Sequence, residues 1–288
     1  MIEITKGQAN AIPIAVVPFC WNGANALPTD VAEVIAADLG RSGRFVPLER
    51  RDMIDKPTTG ADIRFQDWKY LKNNYIAVGK ITSEGAGYVV QVELFNVLNG
   101  QNLLGQRVPS TAGALRATAH RIADAIYEKL TGTPGAFSTR VAFLRVEGVA
   151  PKLQYNLLVA DSDGMNEISV ATSNEPLMSP AWSPDGQSLA YVSFESRNAA
   201  IYVQTLRTGE RRQVSARSGI NGAPAWSPDG KTLALTLSRK DGDVDVYTLD
   251  LATQMLTRMT FDPSIDTEPA WSADGKKIYF TSDRSGSP

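Results

Sequence analysis

Residues 180–186 read P-A-W-S-P-D-G, and close copies of this stretch occur at residues 224–230 and 269–275. The tryptophans at their centres lie 44 and then 45 residues apart. A repeat of this period is typical of a β-propeller, in which each repeat forms one blade. Two successive spacings with the same flanking residues are not chance, so the stretch predicts a chain built from stacked blades.

Short β-prone runs follow each copy of the motif. In the first repeat they lie at residues 189–192, 201–206 and 212–215, and the second repeat has the same order. The Asp-Gly pair that ends each motif favours a tight turn between the first and second strands of the repeat. Each repeat is therefore predicted to form four strands, the composition of one propeller blade. We interpret the large aromatic of each motif as a packing residue on an inner strand, wedged against the next blade; these residues are Trp182, Trp226 and Trp271.

Composition excludes several classes of protein. The 288 residues are 43% hydrophobic and 21% charged, with a net charge of −2. There is no basic excess to hold a phosphate backbone, so we expect no nucleic-acid partner. No apolar run approaches the length of a membrane span, so the chain is not expected to be an integral membrane protein. We interpret the single cysteine, Cys20, as a small apolar residue at a strand end, and we take the polar start at Met1 as the replacement of a removed signal peptide.

Helical and strand patterns alternate over the first half of the chain. Residues 1–10 form a polar tail, and residues 12–19 are a continuous apolar stretch typical of a strand covered on both sides. The first long helix is predicted to begin at Thr29 as its N-cap and to stop at Ser42 and Gly43. A short helix, three strands with a hairpin at Asn99 and Gly100, and a second long helix complete the pattern; their predicted ranges are 65–71, 75–82, 88–97, 103–109 and 112–130.

The two patterns together predict the organisation of the chain. Residues 11–132 form an N-terminal domain of the α+β or α/β class, residues 133–139 a linker, and residues 140–288 an all-β, partial β-propeller with blades 1–3 and the start of blade 4. The first blade lacks its own W-S-P-D-G strand, which a closed ring must take from the far C-terminus. We therefore expect the chain to be a fragment of a longer protein, with apolar blade faces exposed.

The sequence contains no motif typical of a catalytic, cofactor or metal site. His120 is the only histidine, and we interpret it as a surface or interface residue of the second long helix. Nucleophile-elbow, phosphate-loop and zinc-protease motifs do not occur. Aspartates at 161–164 and 241–245 lack the spacing of a calcium-binding hand and are interpreted as hairpin turns. We therefore predict that the chain is not an enzyme and carries no cofactor or metal.

The motifs resemble those of the TolB-type propeller family. The resemblance rests on the three repeats and on matching stretches elsewhere: P-I-A-V-V-P-F at 13–19, A-A-D-L with S-G and F at 36–45, E-K-L-T-G at 128–132, P-L-M-S-P-A-W at 176–182, N-G-A-P at 221–224 and T-E-P at 267–269. It covers essentially the whole chain. It implies an α/β domain followed by a six-bladed β-propeller, only about half of which is present here.

The resemblance also implies a function. Members of this family are non-enzymatic periplasmic adaptors of the Tol–Pal envelope system of Gram-negative bacteria. They bind the lipoprotein Pal and the inner-membrane protein TolA, maintain outer-membrane integrity and support cell division. Bacteriocin translocation peptides exploit them for import.

Candidate binding residues follow from the same resemblance. Loops at 172–179, 216–223 and 262–268 are expected to cross one face of the ring and to border the channel that receives Pal or a bacteriocin peptide. The residues implied are Asn221, Gly222, Ala223, Thr267, Glu268, Met178 and Ser179. Turn formation and blade packing are the alternative interpretation of these positions, and Ile220 stands where some family members have a histidine. The tail residues Ile2, Glu3 and Ile4 are implied to reach TolA, in keeping with an alternating strand that adds to a sheet edge.

Two other functions are compatible with the repeats alone. One is the propeller domain of a serine peptidase of the prolyl oligopeptidase type, with a hydrolase domain beyond residue 288. The other is a cytoplasmic scaffold of the same repeat class. The length of the intact reading frame distinguishes the first, since a hydrolase domain needs about 200 further residues, and an upstream signal sequence excludes the second.

Overall fold

A computed structural model describes residues 11–238 and 242–287. The chain divides into two compact units at the bond between Thr139 and Arg140, and each unit has its own sheets and apolar clusters. The first unit mixes helices with a sheet, and the second consists of successive antiparallel sheets. The predicted fold class is therefore confirmed. The tail residues Ile2, Glu3 and Ile4 lie outside the described residues.

A six-stranded mixed sheet forms the centre of the first unit. Its strands are β1 (Ile12–Val16), β2 (Cys20–Trp21), β3 (Phe45–Pro47), β4 (Tyr75–Glu84), β5 (Gly87–Asn96) and β6 (Asn102–Ser110). The order is β3-β1-β4-β5-β6, with β2 paired to β4; β1 runs parallel to both neighbours. Ile14 and Val16 face one apolar cluster while Ala15 and Val17 face another, as expected for a strand covered on both sides. β1 is shorter than predicted because Pro18 has no N–H to continue the ladder.

Helices cover the faces of this sheet. They are α1 (Val31–Arg41), α2 (Phe65–Tyr70) and α3 (Leu115–Thr131), the last preceded by a single 3-10 turn. α1 and α3 share one apolar cluster, and Trp68 of α2 is fully buried in the other. The prediction of Thr29 as N-cap is wrong: Asp30 caps α1, because its carboxylate accepts a hydrogen bond from Glu33 N at 3.1 Å. α3 ends as predicted at Gly132, whose φ of 73° is readily adopted only by glycine.

Four antiparallel sheets form the second unit. The first sheet contains β7 (Arg140–Val149), β8 (Lys152–Asp161) and β9 (Ile168–Ser173); the second contains β10 (Leu177–Trp182), β11 (Ser188–Ser193), β12 (Ala200–Thr205) and β13 (Arg211–Ser215). The third contains β14 (Asn221–Trp226), β15 (Thr232–Ser238), β16 (Val244–Asp250) and β17 (Leu256–Arg258), and the fourth β18 (Asp266–Trp271) and β19 (Ile278–Ser282). Consecutive strands pair with each other, which is the arrangement of propeller blades.

The repeated motif ends the first strand of a sheet and turns the chain into the second. In the third sheet, Gly230 N donates to Ser227 O at 2.9 Å, and Ser227 Oγ donates to Asp229 Oδ1 at 2.6 Å. The same two bonds occur in the second and fourth sheets. Because the aspartate is bonded within its own turn, its predicted role in the turn is confirmed.

Apolar clusters lie between successive sheets of the second unit. Leu157 and Val159 of the first sheet pack with Leu189 and Tyr191 of the second. The motif tryptophans were predicted to wedge against the next blade, and this direction is wrong. Trp271, at the end of β18, donates from Nε1 to Ala225 O of β14 at 3.2 Å. The indole therefore contacts the preceding sheet and not the next one.

Candidate functional site

The seven predicted partner-binding residues of the second unit fall in three equivalent triplets at the starts of β10, β14 and β18. These first-strand triplets are residues 177–179, 221–223 and 266–268. The prediction placed these residues in loops, and that is wrong. The second residue of each triplet already pairs with the neighbouring strand: Met178 with Val192, Gly222 with Thr236 and Thr267 with Thr281. Each first strand was predicted to begin at the proline of the motif, whereas its pairing begins three residues earlier.

The third residue of each triplet has the same unusual backbone conformation. Ser179, Ala223 and Glu268 have φ values of 49°, 44° and 51°. Each immediately precedes the proline of the motif, and the strand register shifts at this point in all three sheets. A β-bulge therefore recurs at one position of the repeat.

This conformation costs free energy. A left-handed backbone costs a non-glycine residue about 1–2 kcal/mol, and a following proline disfavours helical backbone angles further. Strain of this kind persists only where the surrounding structure imposes it, and it concentrates at binding and catalytic sites. The repeated outlier is thus a physical reason to treat the triplets as a candidate site.

The first residue of each triplet is buried and holds the structure together. Leu177 belongs to the apolar cluster between the first and second sheets. Asn221 is 1% exposed; its Oδ1 accepts hydrogen bonds from Ser215 Oγ at 2.6 Å and Arg217 N at 3.0 Å, and its Nδ2 donates to Arg217 O at 2.7 Å. The side chain of Asn221 is therefore committed to the loop that precedes β14.

Asp266 holds the same position in the fourth sheet. Its side chain is fully buried, and Arg284 Nη2 donates to its two carboxylate oxygens at 3.0 and 2.9 Å. Burial raises the pKa of Asp266, but hydrogen bonds from Ser282, Arg284 and Thr260 oppose that effect and hold the pKa below its usual value. Asp266 is therefore a carboxylate at neutral pH, with its charge balanced by Arg284.

A second buried carboxylate, Asp245, was predicted from the sequence to lie in a hairpin turn, and that is wrong: it lies within β16. Arg258 Nη2 donates to Asp245 Oδ1 at 2.8 Å, and Thr260 Oγ1 donates to the same oxygen at 3.2 Å. Arg258 also forms an ion pair with Asp243 at 3.3 Å. Because an arginine already balances these aspartates, they are poorly suited to hold a metal ion. The closely spaced aspartates and glycine at 241–245 favour a turn, and no local pattern indicates that Asp245 pairs with Arg258.

The second and third residues of the triplets are the ones that a partner can reach. Met178 is 49% exposed, Ser179 and Glu268 are exposed, and Gly222, Ala223 and Thr267 are half-buried. Within the described ranges, no side chain forms an ion pair or hydrogen bond with the Glu268 carboxylate. Its charge is available to an incoming donor.

Neighbouring triplets are in register across the sheets. Thr267 Oγ1 lies 3.2 Å from Thr236 Oγ1, the residue that pairs with Gly222, so the third and fourth sheets touch at this level. First strands of successive sheets are also joined at their other ends by the motif tryptophans. The triplets thus lie on successive first strands, with exposed side chains at Met178, Ser179 and Glu268 and half-buried residues at 222, 223 and 267.

His120 lies elsewhere, in the first unit. It is 2% exposed, and its Nδ1 lies 2.7 Å from Oδ2 of the fully buried Asp38. The prediction of a surface position is therefore wrong: pairing with a carboxylate allows the ring to lie among the buried residues of α3. A side chain so enclosed is inaccessible to a substrate.

Comparison with protein families assigns both units. The family model for the TolB amino-terminal domain matches residues 1–103, and the model for the TolB β-propeller domain matches residues 127–288. Among the described residues, no helix has the length and apolar character needed to cross a membrane.

Related sequences carry one name. Tol-Pal system protein TolB from Xanthomonas oryzae pv. oryzae strain PXO99A is 50% identical over 224 residues, which is 77% of this chain and 51% of that protein. The protein of the same name from Xanthomonas axonopodis pv. citri strain 306 gives the same identity and coverage. The chain thus spans about half the length of the curated relatives it matches.

A solved structure supports the assignment. The crystal structure of TolB from Acinetobacter baumannii superposes with a TM-score of 0.89 at 40% identity, covering 99% of this chain and 69% of that one. The resemblance drawn from the repeats is therefore confirmed. Both units and the motifs that they carry place this chain in the TolB family, whose curated relatives are named Tol-Pal system protein TolB.

Proposed function

We propose that this chain acts as a non-enzymatic adaptor of the Tol–Pal system in the periplasm, and that its first-strand triplets bind Pal. The names of its relatives place them in that system. The triplets supply a surface that suits a peptide: the Met178 side chain for apolar contact, small residues at 222 and 223 that leave the backbone accessible, and the unpaired Glu268 carboxylate as an acceptor.

One observation carries this proposal. The same left-handed, pre-proline bulge recurs in Ser179, Ala223 and Glu268. A single outlier can reflect local packing, but three at one position of the repeat place strained backbone in a row along neighbouring first strands. Strain retained in this way is expected where it orients groups for a ligand.

The remaining partners follow from the same role. We propose that Ile2, Glu3 and Ile4 bind TolA by adding an alternating strand to a sheet edge. Simultaneous binding of Pal and TolA would connect the two membranes, which is how the protein would maintain outer-membrane integrity and support cell division. A bacteriocin translocation peptide would use the Pal surface in competition with Pal.

Calorimetric titration of the 288-residue chain with purified Pal tests the main proposal. Replacing Glu268 by Ala is expected to weaken binding by about 2 kcal/mol, roughly thirtyfold, as for other binding hot spots. The matched control is Glu210→Ala, which removes an exposed glutamate from the turn at the opposite end of the second sheet. Equal affinities for the two variants would remove Glu268 from the site.

The TolA proposal has a separate test. Deleting residues 1–7 is expected to abolish TolA binding while leaving Pal affinity and the thermal unfolding midpoint unchanged. Binding of TolA by the shortened chain would contradict the role of the tail and leave the Pal site untouched.

A further inference from the structure

A cavity of about 450 Å³ lies between the first and second sheets of the second unit. It is at the ends of the sheets where the motif turn 183–188 and the turn 205–210 lie, far along the strands from the triplets. Its volume is within the range of about 300–1,000 Å³ typical of ligand sites.

One wall of this cavity is apolar. Val159, Ile168 and Val170 line it from the first sheet, and Leu206 lines it from the second. Ile168 is 63% exposed although it belongs to a strand. Contact with an apolar group of a ligand would remove this side chain from water, which is favourable. The buried Gln204, which also lines the cavity, donates from Nε2 to Val170 O at 2.8 Å and accepts from the Tyr191 hydroxyl at 2.8 Å. The wall is therefore fixed in shape.

Two arginines also line the cavity. Arg140 is held in place, since its Nη2 donates to Gly186 O at 2.6 Å and its guanidinium lies 4.9 Å from the centre of the Trp182 ring. Arg207 is exposed, and no described residue pairs with its guanidinium. No acidic side chain is among the described residues that line the cavity. The cavity is consequently cationic, with an apolar wall beside the charge.

The next junction along the chain shows that this space is not an automatic result of stacking sheets. Ile168 and Arg212 occupy equivalent positions in the first and second sheets. Ile168 pairs with Val159 of β8, and Arg212 pairs with Val203 of β12. Both valines lie two residues before the end of their strand. Between the second and third sheets, Arg212 donates from both Nη atoms to Leu251 O at 3.1 Å. Between the first and second sheets an isoleucine takes that position, and the corresponding space is open.

We propose that this cavity binds the C-terminus of a peptide that ends in an apolar residue. The last side chain lies against Ile168 and Leu206, and the terminal carboxylate pairs with Arg207 and Arg140. A planar guanidinium matches a carboxylate with two hydrogen bonds, which makes such pairs both strong and selective. The apolar wall next to the arginines selects a carboxylate that is attached to an apolar group.

The probe is N-acetyl-alanyl-leucine, titrated into the 288-residue chain by calorimetry. We expect saturable binding that weakens as salt is added, because the arginines are at the surface. The C-terminal amide of the same dipeptide is expected to bind about tenfold more weakly or worse, since it lacks the charge. Equal affinity for the acid and the amide, or absence of binding at ~10 mM acid, would overturn the proposal.

Variants locate the binding to this cavity. Arg207→Gln is expected to weaken binding of the acid about tenfold with no change in the circular dichroism spectrum, because the residue is exposed. Ile168→Arg should fill the space as Arg212 does at the next junction and remove binding. Arg51→Gln, which removes an exposed arginine of the first unit, is the matched control and should bind like the unmodified chain. Unchanged binding in Arg207→Gln, or an equal loss in Arg51→Gln, would contradict the site.

Discussion

The indole Nε1 of Trp226 donates a hydrogen bond to the backbone oxygen of Ala181 across 3.1 Å. The tryptophan that ends the first strand of the third sheet is thereby bonded to the first strand of the second. Trp271 repeats this contact with Ala225 at 3.2 Å. The motif thus makes a turn within one sheet and joins that sheet to the one before it.

Replacing Trp226 by Phe removes this bond and keeps most of the apolar contact. We expect the free energy of unfolding to fall by about 1–2 kcal/mol, the usual cost of a lost hydrogen bond that leaves a partly buried acceptor unpaired. Urea denaturation measures it. The matched control is Trp182→Phe, since no described residue accepts a hydrogen bond from that indole. Equal losses in the two variants would show that the inter-sheet bond contributes nothing.

The left-handed backbone of Ala223 predicts a stabilising substitution. Ala223→Gly removes a backbone strain of about 1–2 kcal/mol at φ 44°. Glycine loses more conformational entropy on folding, which costs about 0.5–1 kcal/mol. The free energy of unfolding is therefore expected to rise by about 0.5–1 kcal/mol. Ala225→Gly, two residues along the same strand, should destabilise instead. Thermal unfolding of both variants decides the matter, and destabilisation by Ala223→Gly would mean that this backbone is unstrained.

The Asp266–Arg284 pair predicts a dependence of stability on pH. Since the pKa of Asp266 is lower in the folded protein than the ordinary 3.8, its carboxylate contributes stability above about pH 4. That contribution is lost as the pH falls through the lower folded pKa. Asp266→Asn should therefore be less stable than the unmodified chain at pH ~7, with a smaller difference at pH ~2. A difference that stays constant between these pH values would contradict the assignment.

Removing the partner tests the same pair from the other side. Arg284→Met leaves the buried Asp266 carboxylate without its cation and is expected to lower the free energy of unfolding at neutral pH, by less than the loss of a fully buried pair because the Arg284 side chain is 44% exposed. The matched control is Arg145→Met, whose ion pairs with Glu147 and Glu167 are exposed. Comparable losses for the two substitutions would argue that burial of Asp266 is unimportant.

The motif aspartates predict a graded effect. The pKa of Asp229 is held below its usual value mainly by the hydrogen bond from Ser227, and Lys231 N donates to the same oxygen. Asp229→Ala should lower Tm more than Asp229→Asn, because the asparagine oxygen still accepts both bonds. Identical Tm values for the two variants would mean that the turn does not depend on these bonds.

Much of this architecture could be predicted from sequence because it is local. Hairpin positions depend on Asn99-Gly100 and the Asp-Gly turns, and the helices follow from apolar spacing. The N-cap was placed one residue too early because Thr and Asp both cap helices well. The backbone conformation at the start of α1 selects Asp30, and the local sequence does not show it. His120 was misplaced because its partner Asp38 lies 82 residues away along the chain.

The candidate site could be predicted only in part. The triplets were found through family motifs, but their backbone conformation was hidden, since Ser, Ala and Glu before proline give no sign of positive φ. The hydrogen bonds of Asn221 within the preceding loop give its side chain a structural role that the sequence did not indicate, and its role as a contact residue stays a prediction. The buried ion pairs of Asp245 and Asp266 depend on contacts between strands, which no local pattern reveals.

The most direct test of the first-strand triplets as the partner surface is site-specific cross-linking. A photo-reactive amino acid is placed at position 268 in one sample of the chain and at position 210 in another, and each is irradiated with purified Pal. The account predicts a covalent adduct with Pal from position 268 and none from position 210. An adduct from position 210 alone, with position 268 unreactive, would contradict it.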